Sequence, residues 1–244
     1  PRMHNAVFAE LNIDARFVAF SVKPDQLGEA LTGLKALNVA GFNVTVPHKS
    51  SVIPYLDEIT PLAKKIGAVN TIRNEQGLLI GTNTDISGFI RSLENLNFSP
   101  ENKSIALLGA GGAARALVAG LADAGASRIL IHNRTVEHAE SLLTEFSPIF
   151  PQTQLESVTV ETLQATTLDL LVNTTTVGME SGESPLDLSQ CQEIEHLADI
   201  IYSPAQTTLL KQAEELGIPA INGSGMLLYQ GCGAFTFWTG KQAP

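Results

Sequence analysis

The sequence predicts an α/β protein of two domains, one of them built around a doubly wound, largely parallel sheet. Apolar β-branched runs alternate with amphipathic helical patterns along the whole chain, the signature of strands covered by helices. A glycine-rich turn at Gly109–Ala113 joins one such run directly to a helix. Residues 86–220 read as one self-contained unit, and residues 1–85 with 221–244 are expected to form the second domain.

Taken in order, Pro1 leads into a helical pattern with Met3, Val7, Phe8 and Leu11 on one face. Strands are predicted at Phe17–Val22, Val39–Val46 and Ala68–Ile72, with a helix over Gln26–Leu37. Thr84 is expected to cap a helix whose buried stripe is Phe89, Ile90, Leu93 and Leu96. After the polar loop Asn97–Lys103 come strands at Ile105–Leu108, Ile129–Ile131, Leu168–Val172 and Ala198–Ile201. Helices over Ala113–Ala124, Val136–Phe146 and Thr207–Leu216 separate them.

Composition narrows the function. The 244 residues are 44% hydrophobic, enough for two modest cores. A net charge of -10 and the lack of a basic run argue against a nucleic-acid partner. Arg115, Asp123 and several glycines interrupt the most apolar stretch, Ile105–Ala126, so no membrane span is expected. Cys191 and Cys232 lie far apart without CxxC spacing, which fits a reducing cytoplasm. The histidines show no HxxxH or HExxH spacing, and no metal is expected.

The glycine turn carries the first chemistry. Ile105–Leu108 is a buried-strand run, Gly109-Ala110-Gly111-Gly112-Ala113 follows at once, and a helix begins. Such a turn lets backbone N–H groups approach a pyrophosphate that a Cβ would block. Alone the motif is weak; between strand and helix it points to a Rossmann-type dinucleotide site. The next strand ends in Asn133-Arg134-Thr135, where an NAD enzyme usually places a carboxylate for the ribose hydroxyl. An amide, a guanidinium and a hydroxyl suit a 2′-phosphate instead, so NADP is the expected cofactor. The loop Asn173–Met179, with Thr174, is assigned to the same crevice because it follows a buried strand.

Three further loops place polar side chains after buried backbone: Gly41–Lys49, Gly67–Thr71 and Gly81–Asp85. Together they offer a hydroxyl, an amide, an ammonium and a carboxylate, a set suited to a polyhydroxylated ligand. A lone lysine or aspartate of this kind is usually plain surface; three such loops are harder to dismiss. At these residues the chain resembles the shikimate dehydrogenase family. The resemblance covers nearly the whole chain and rests on Asn43–Lys49 (NVTVPHK), Gly67–Thr71 (GAVNT), Asn83–Asp85 (NTD), Gly109–Ala113 (GAGGA), Asn133–Thr135 (NRT) and Gly223–Gln230 (GSGMLLYQ).

The resemblance implies reversible reduction of 3-dehydroshikimate to shikimate by NADPH, with Lys49 and Asp85 as the catalytic pair. It implies that Thr45, Asn70, Asp85 and Gln230 hydrogen-bond the substrate, that Tyr202 lies near it, and that Gly223 stands beside the nicotinamide. A monomer or homodimer is expected. Two departures stand out. The family's Ser-x-Ser-Pro motif has only its proline here, at Pro1, so a truncated N-terminus is expected. His138 stands where some members carry a second arginine for the 2′-phosphate. The competing readings are a quinate/shikimate dehydrogenase preferring NAD, a methylenetetrahydrofolate dehydrogenase, and a non-catalytic NADP-binding regulator. The NRT turn speaks against the first, NVTVPHK and GAVNT against the second, and Lys49, Asp85 and Gln230 together against the third.

Overall fold

The computed structural model describes residues 1–244, which fold into two compact units, residues 1–87 with 228–244 and residues 88–227. The first unit contains α1 (Arg2–Glu10), α2 (Leu27–Ala36), β1 (Gly41–Asn43), α3 (His48–Ser51), β2 (Glu58–Ile59), α4 (Pro61–Ile66), β3 (Thr71–Glu75), β4 (Leu78–Thr82) and the start of α5 (Thr84–Ser92). Its four-stranded sheet has the order β1-β3-β4-β2. β3 pairs antiparallel with both β1 and β4, whereas β2 runs parallel to β4. The sheet of this unit is therefore mixed. A tight hairpin joins β3 to β4, and Gln76 (φ 52°) and Gly77 (φ 96°) take the left-handed conformation that such two-residue turns need. Leu27 and Leu31 of α2 pack on Val52, Ala63, Val69, Ile72 and Leu79 to form the core.

Two expectations need correction here. Residues Phe17–Val22 form no strand. A β-prone run becomes a strand only with a backbone partner, and Phe17 instead pairs with the Asn5 side chain, whose Oδ1 accepts from its N–H at 2.7 Å. Val18 and Phe20 stay 58% and 71% exposed. The cap of α5 is Asn83 rather than Thr84: Asn83 Oδ1 accepts from the amides of Asp85 and Ile86 at 3.1 and 3.4 Å.

The second unit contains β5 (Ser104–Leu108), α6 (Gly112–Asp123), β6 (Arg128–His132), α7 (Val136–Phe146), β7 (Gln154–Ser157), α8 (Val160–Gln164), β8 (Leu170–Asn173), β9 (Leu197–Asp199), α9 (Thr208–Glu215), β10 (Ala220–Ile221) and the start of α10 (Ser224–Thr239). All six strands are parallel, in the order β10-β9-β8-β5-β6-β7. Ile105–Leu108 and Leu170–Val172 are buried without alternation, as strands covered on both faces must be. One core cluster joins Leu108, Leu130, Leu171 and Leu197 of the sheet to Leu163, Leu209 and Ala213 of the helices. No long helix links β8 to β9; Leu186, Leu188 and Ile194 from that connection pack into the core in its place. No helix of the chain is long and apolar enough to cross a membrane.

Candidate active site and dinucleotide site

In the first unit, hydrogen bonds draw the three predicted loops together. Val44 N–H donates to Asn70 O at 2.9 Å, Asn70 N–H to Thr82 O at 3.1 Å, and Val69 N–H to Lys49 O at 2.8 Å. Asn83, while capping α5, also donates from its amide to Ala68 O at 3.2 Å. The outcome is a single salt bridge: Lys49 Nζ donates to Asp85 Oδ2 at 2.7 Å. The lysine side chain is 34% exposed and the aspartate 15%, so the ammonium meets solvent while the carboxylate anchors it. Asp85 sits in the first turn of α5, where the helix dipole favours a negative charge.

Asn70 lies immediately beneath, 3% exposed. Its Oδ1 accepts from Thr84 N–H at 2.8 Å and Thr71 Oγ1 at 2.9 Å, and its Nδ2 donates to Thr84 Oγ1 at 3.1 Å. Asn43 Nδ2 completes the network by donating to Thr71 Oγ1 at 2.9 Å. One N–H of Asn70 is left over from this set. Thr45 is exposed and its hydroxyl makes no bond within the chain, while its carbonyl accepts from His48 N–H at 2.7 Å to turn the chain into α3. Gln230 is half-buried on α10, three residues before Gly233, where an added Cβ would lie 3.4 Å from the Thr84 side chain. That spacing puts Gln230 one turn away along the helix.

In the second unit, register sets the site. Leu108 pairs with His132 and with Asn173, and Asn173 pairs with Asp199, so the loops after β5, β6, β8 and β9 all leave the sheet at one level. Gly109 has φ 104°, and a Cβ there would meet Thr174 Oγ1 at 2.8 Å; only glycine makes this turn. Gly111 and Gly112 face open space, nothing lying within 4 Å of where a Cβ would stand. No side chain caps α6 behind them, so its first amides are available to an anion. Ala113 lies in the first turn of α6. These features fit the pyrophosphate of a dinucleotide.

Two of the predicted residues, Asn133 and Thr174, hydrogen-bond the backbone around the glycine turn. Asn133 Oδ1 accepts from Ala110 N–H at 3.1 Å and its Nδ2 donates to Thr135 O at 2.7 Å, so its amide holds the glycine turn. Thr174 is buried and donates to Leu108 O at 2.7 Å. Arg134 and Thr135 remain exposed, and the guanidinium of Arg134 forms no ion pair. His138 is exposed one turn later. Arg115 forms an ion pair with Glu145. Tyr202 is 54% exposed beyond β9. Gly223 is buried, and a Cβ there would fall 2.0 Å from Ile200 O.

Sequence reasoning missed the Asn43–Asn70–Thr71–Thr84 network and the buried Asp199. A polar residue closing an apolar strand, as in Leu197-Ala198-Asp199, is the signal that could have revealed the latter. No group of three His, Cys, Asp or Glu side chains is gathered anywhere.

Comparison with known proteins identifies the family. The model of the shikimate dehydrogenase substrate binding domain matches residues 1–72. That of shikimate / quinate 5-dehydrogenase matches residues 92–177, and that of the shikimate 5′-dehydrogenase C-terminal domain matches residues 223–244. The NADP(+) shikimate dehydrogenase of Bacillus cereus strain AH187 is 46% identical over 244 residues, covering 99% of this chain and 88% of the relative. The crystal structure of shikimate 5-dehydrogenase from Listeria monocytogenes in complex with shikimate and NAD superposes with a TM-score of 0.94 at 35% identity, over 100% of this chain and 88% of the other. The Thermus thermophilus enzyme in complex with NADP(H) and shikimate gives 0.89 at 33% identity, over 100% and 89%. With a two-unit α/β fold, a Rossmann-type sheet and a relative this close along its length, the chain belongs to the shikimate dehydrogenase family.

Proposed function

We propose that the protein catalyses the reversible, NADPH-dependent reduction of 3-dehydroshikimate to shikimate, a step of aromatic amino acid biosynthesis. The observation that carries this reading is the Lys49–Asp85 pair, an ammonium held at 2.7 Å by a carboxylate within a polar network in the first unit. NADPH, when bound, supplies a hydride to the substrate carbonyl carbon. The oxygen then gains negative charge, and Lys49 Nζ offers it both a proton and a positive field. In the reverse direction the same nitrogen accepts the hydroxyl proton. Asp85 orients Nζ and accepts from a substrate hydroxyl. Thr45, Asn70 and Gln230 hydrogen-bond the remaining hydroxyls, and Tyr202 flanks the substrate.

On the cofactor side, Gly109, Ala110, Gly111, Gly112 and Ala113 receive the pyrophosphate, and Asn133 and Thr174 keep that turn in shape. Arg134 and Thr135 take the 2′-phosphate, and Gly223 lets the backbone lie close to the nicotinamide. The absence of a carboxylate in Asn133–Thr135 is what favours NADP over NAD. A cytoplasmic setting and a monomeric or homodimeric state belong to the same reading; both thiols, Cys191 and Cys232, are free. The test is NADPH oxidation dependent on 3-dehydroshikimate. Turnover lost in Lys49→Ala supports the assignment. A protein that binds NADPH but turns over nothing would be a regulator, and NAD-dependent quinate oxidation of equal efficiency would move it to the broader-specificity enzymes.

A further inference from the structure

A dinucleotide lies across the carboxyl edge of a doubly wound sheet, one nucleotide on each side of the glycine turn. Arg134 follows β6, on one side of β5, so the phosphorylated adenosine belongs there and the other nucleotide belongs over β8 and β9. Beneath that second half stands a carboxylate that no step above uses. Asp199, at the end of β9, is 1% exposed. Its Oδ1 accepts from Asn173 Nδ2 at 3.0 Å and from Ile201 N–H at 3.1 Å, and its Oδ2 accepts from Thr207 Oγ1 at 2.7 Å. No cation is among its partners.

Each partner leads to a different segment. Asn173 Oδ1 accepts from Thr175 N–H at 3.0 Å and from its hydroxyl at 2.8 Å, shaping the loop after β8. Ile201 O accepts from Gly223 N–H at 3.0 Å, which fixes the loop after β9 to the start of α10. Thr207 caps α9 by accepting from Leu210 N–H at 3.3 Å. Burial pushes the Asp199 carboxyl above the usual aspartate range. An ionised group buried among neutral donors is costly, and a well-packed apolar cluster would serve stability at least as well. Its value lies in geometry: one short side chain holds two loops in a fixed relation.

We propose that Asp199 is a positioning residue for the nicotinamide-bearing half of the cofactor, locking the loops after β8 and β9 into one cradle. This rests on the dinucleotide reading of the second unit. Calorimetric titration with NADPH and with 2′,5′-ADP, which fills only the Arg134 side, tests it. Asp199→Ala is expected to weaken NADPH by about tenfold or more while 2′,5′-ADP stays within about twofold, a loss the size of one hydrogen bond to a charged group. Asn173→Ser, cutting the tie from the other end, is expected to show the same split. Asp199→Asn keeps the bonds from Asn173 and Ile201 through its oxygen and can donate to Thr207, so it should recover NADPH binding to within about threefold of wild type. Thr207→Val cuts only the arm to α9 and should lower Tm with both affinities kept. Unchanged NADPH affinity in Asp199→Ala, equal losses of both ligands, a variant that binds neither, or failure of asparagine to rescue overturns the assignment. Wild-type protein that binds neither ligand overturns the dinucleotide reading itself, and this assignment with it.

Discussion

Removing the ammonium of Lys49 separates chemistry from folding. The lysine side chain is 34% exposed, and the contact that matters for its charge is the 2.7 Å bond to Asp85. Pairs of this exposure contribute about 1 kcal/mol or less to stability, and Asp85 keeps the favourable field of the α5 N-terminus after the lysine is gone. Lys49→Ala is therefore expected to shift the unfolding midpoint little. Loss of a positioned proton donor costs about 10²–10⁴ in rate, or roughly 3–5 kcal/mol of barrier. The assay is steady-state NADPH oxidation with saturating 3-dehydroshikimate, with kcat and KM fitted separately for Lys49→Ala, Asp85→Asn and the double variant. A large fall in kcat with a small change in KM is expected for Lys49→Ala. Because the two groups act as a unit, the double variant should be about as slow as the worse single one. A kcat for Lys49→Ala within about threefold of wild type, or losses that add in full, would refute the reasoning.

Other consequences follow from burial and spacing. Arg134→Ala should weaken NADPH about tenfold to a hundredfold with little change for NADH, since a hydrogen bond to a charged group is worth roughly 1.5–3 kcal/mol; equal losses in a binding titration would remove Arg134 from 2′-phosphate recognition. Gly223→Ala places a Cβ 2.0 Å from Ile200 O and 2.5 Å from its carbonyl carbon, so the loop after β9 must shift, and NADPH affinity and Tm are both expected to fall. His4 is buried against Phe17 and Trp238, with ring centroids at 4.7 and 5.1 Å, and burial lowers its pKa from 6.5 to about 4. Between those values the unfolded chain binds a proton that the folded one refuses, so stability is full above 6.5 and declines toward 4. The loss is at most about 3 kcal/mol. Urea titrations followed by Trp238 fluorescence should show this decline, and His4→Phe should flatten it; an identical decline in that variant would assign the effect elsewhere.

Local pattern alone specified the centre of the second unit, strands β5, β6, β8 and β9 with helices α6, α7 and α9, but not the edge strands β7 and β10 or the short helix α8. Those four strands are buried on both faces, so local pattern and tertiary environment agree there, and Val136–Phe146 forms with the expected ends. The residues proposed to carry chemistry were legible as well, because each stands where a loop or strand gives way to polar sequence: Lys49 in α3, Asp85 in the first turn of α5 and Arg134 just after β6. Which groups meet was left to long-range contacts. β4 was hidden because Gly81-Thr82 reads as a loop until β3 supplies a partner, and Phe17–Val22 reads as a strand although no partner exists for it. Asn133 and Thr174 look like ligand groups in sequence, yet their hydrogen bonds are spent on the turn they flank. Asp199 draws on Asn173 and Thr207, 26 and 8 residues away along the chain. A hydrogen bond between distant residues depends on register and strand order, and no local periodicity encodes either.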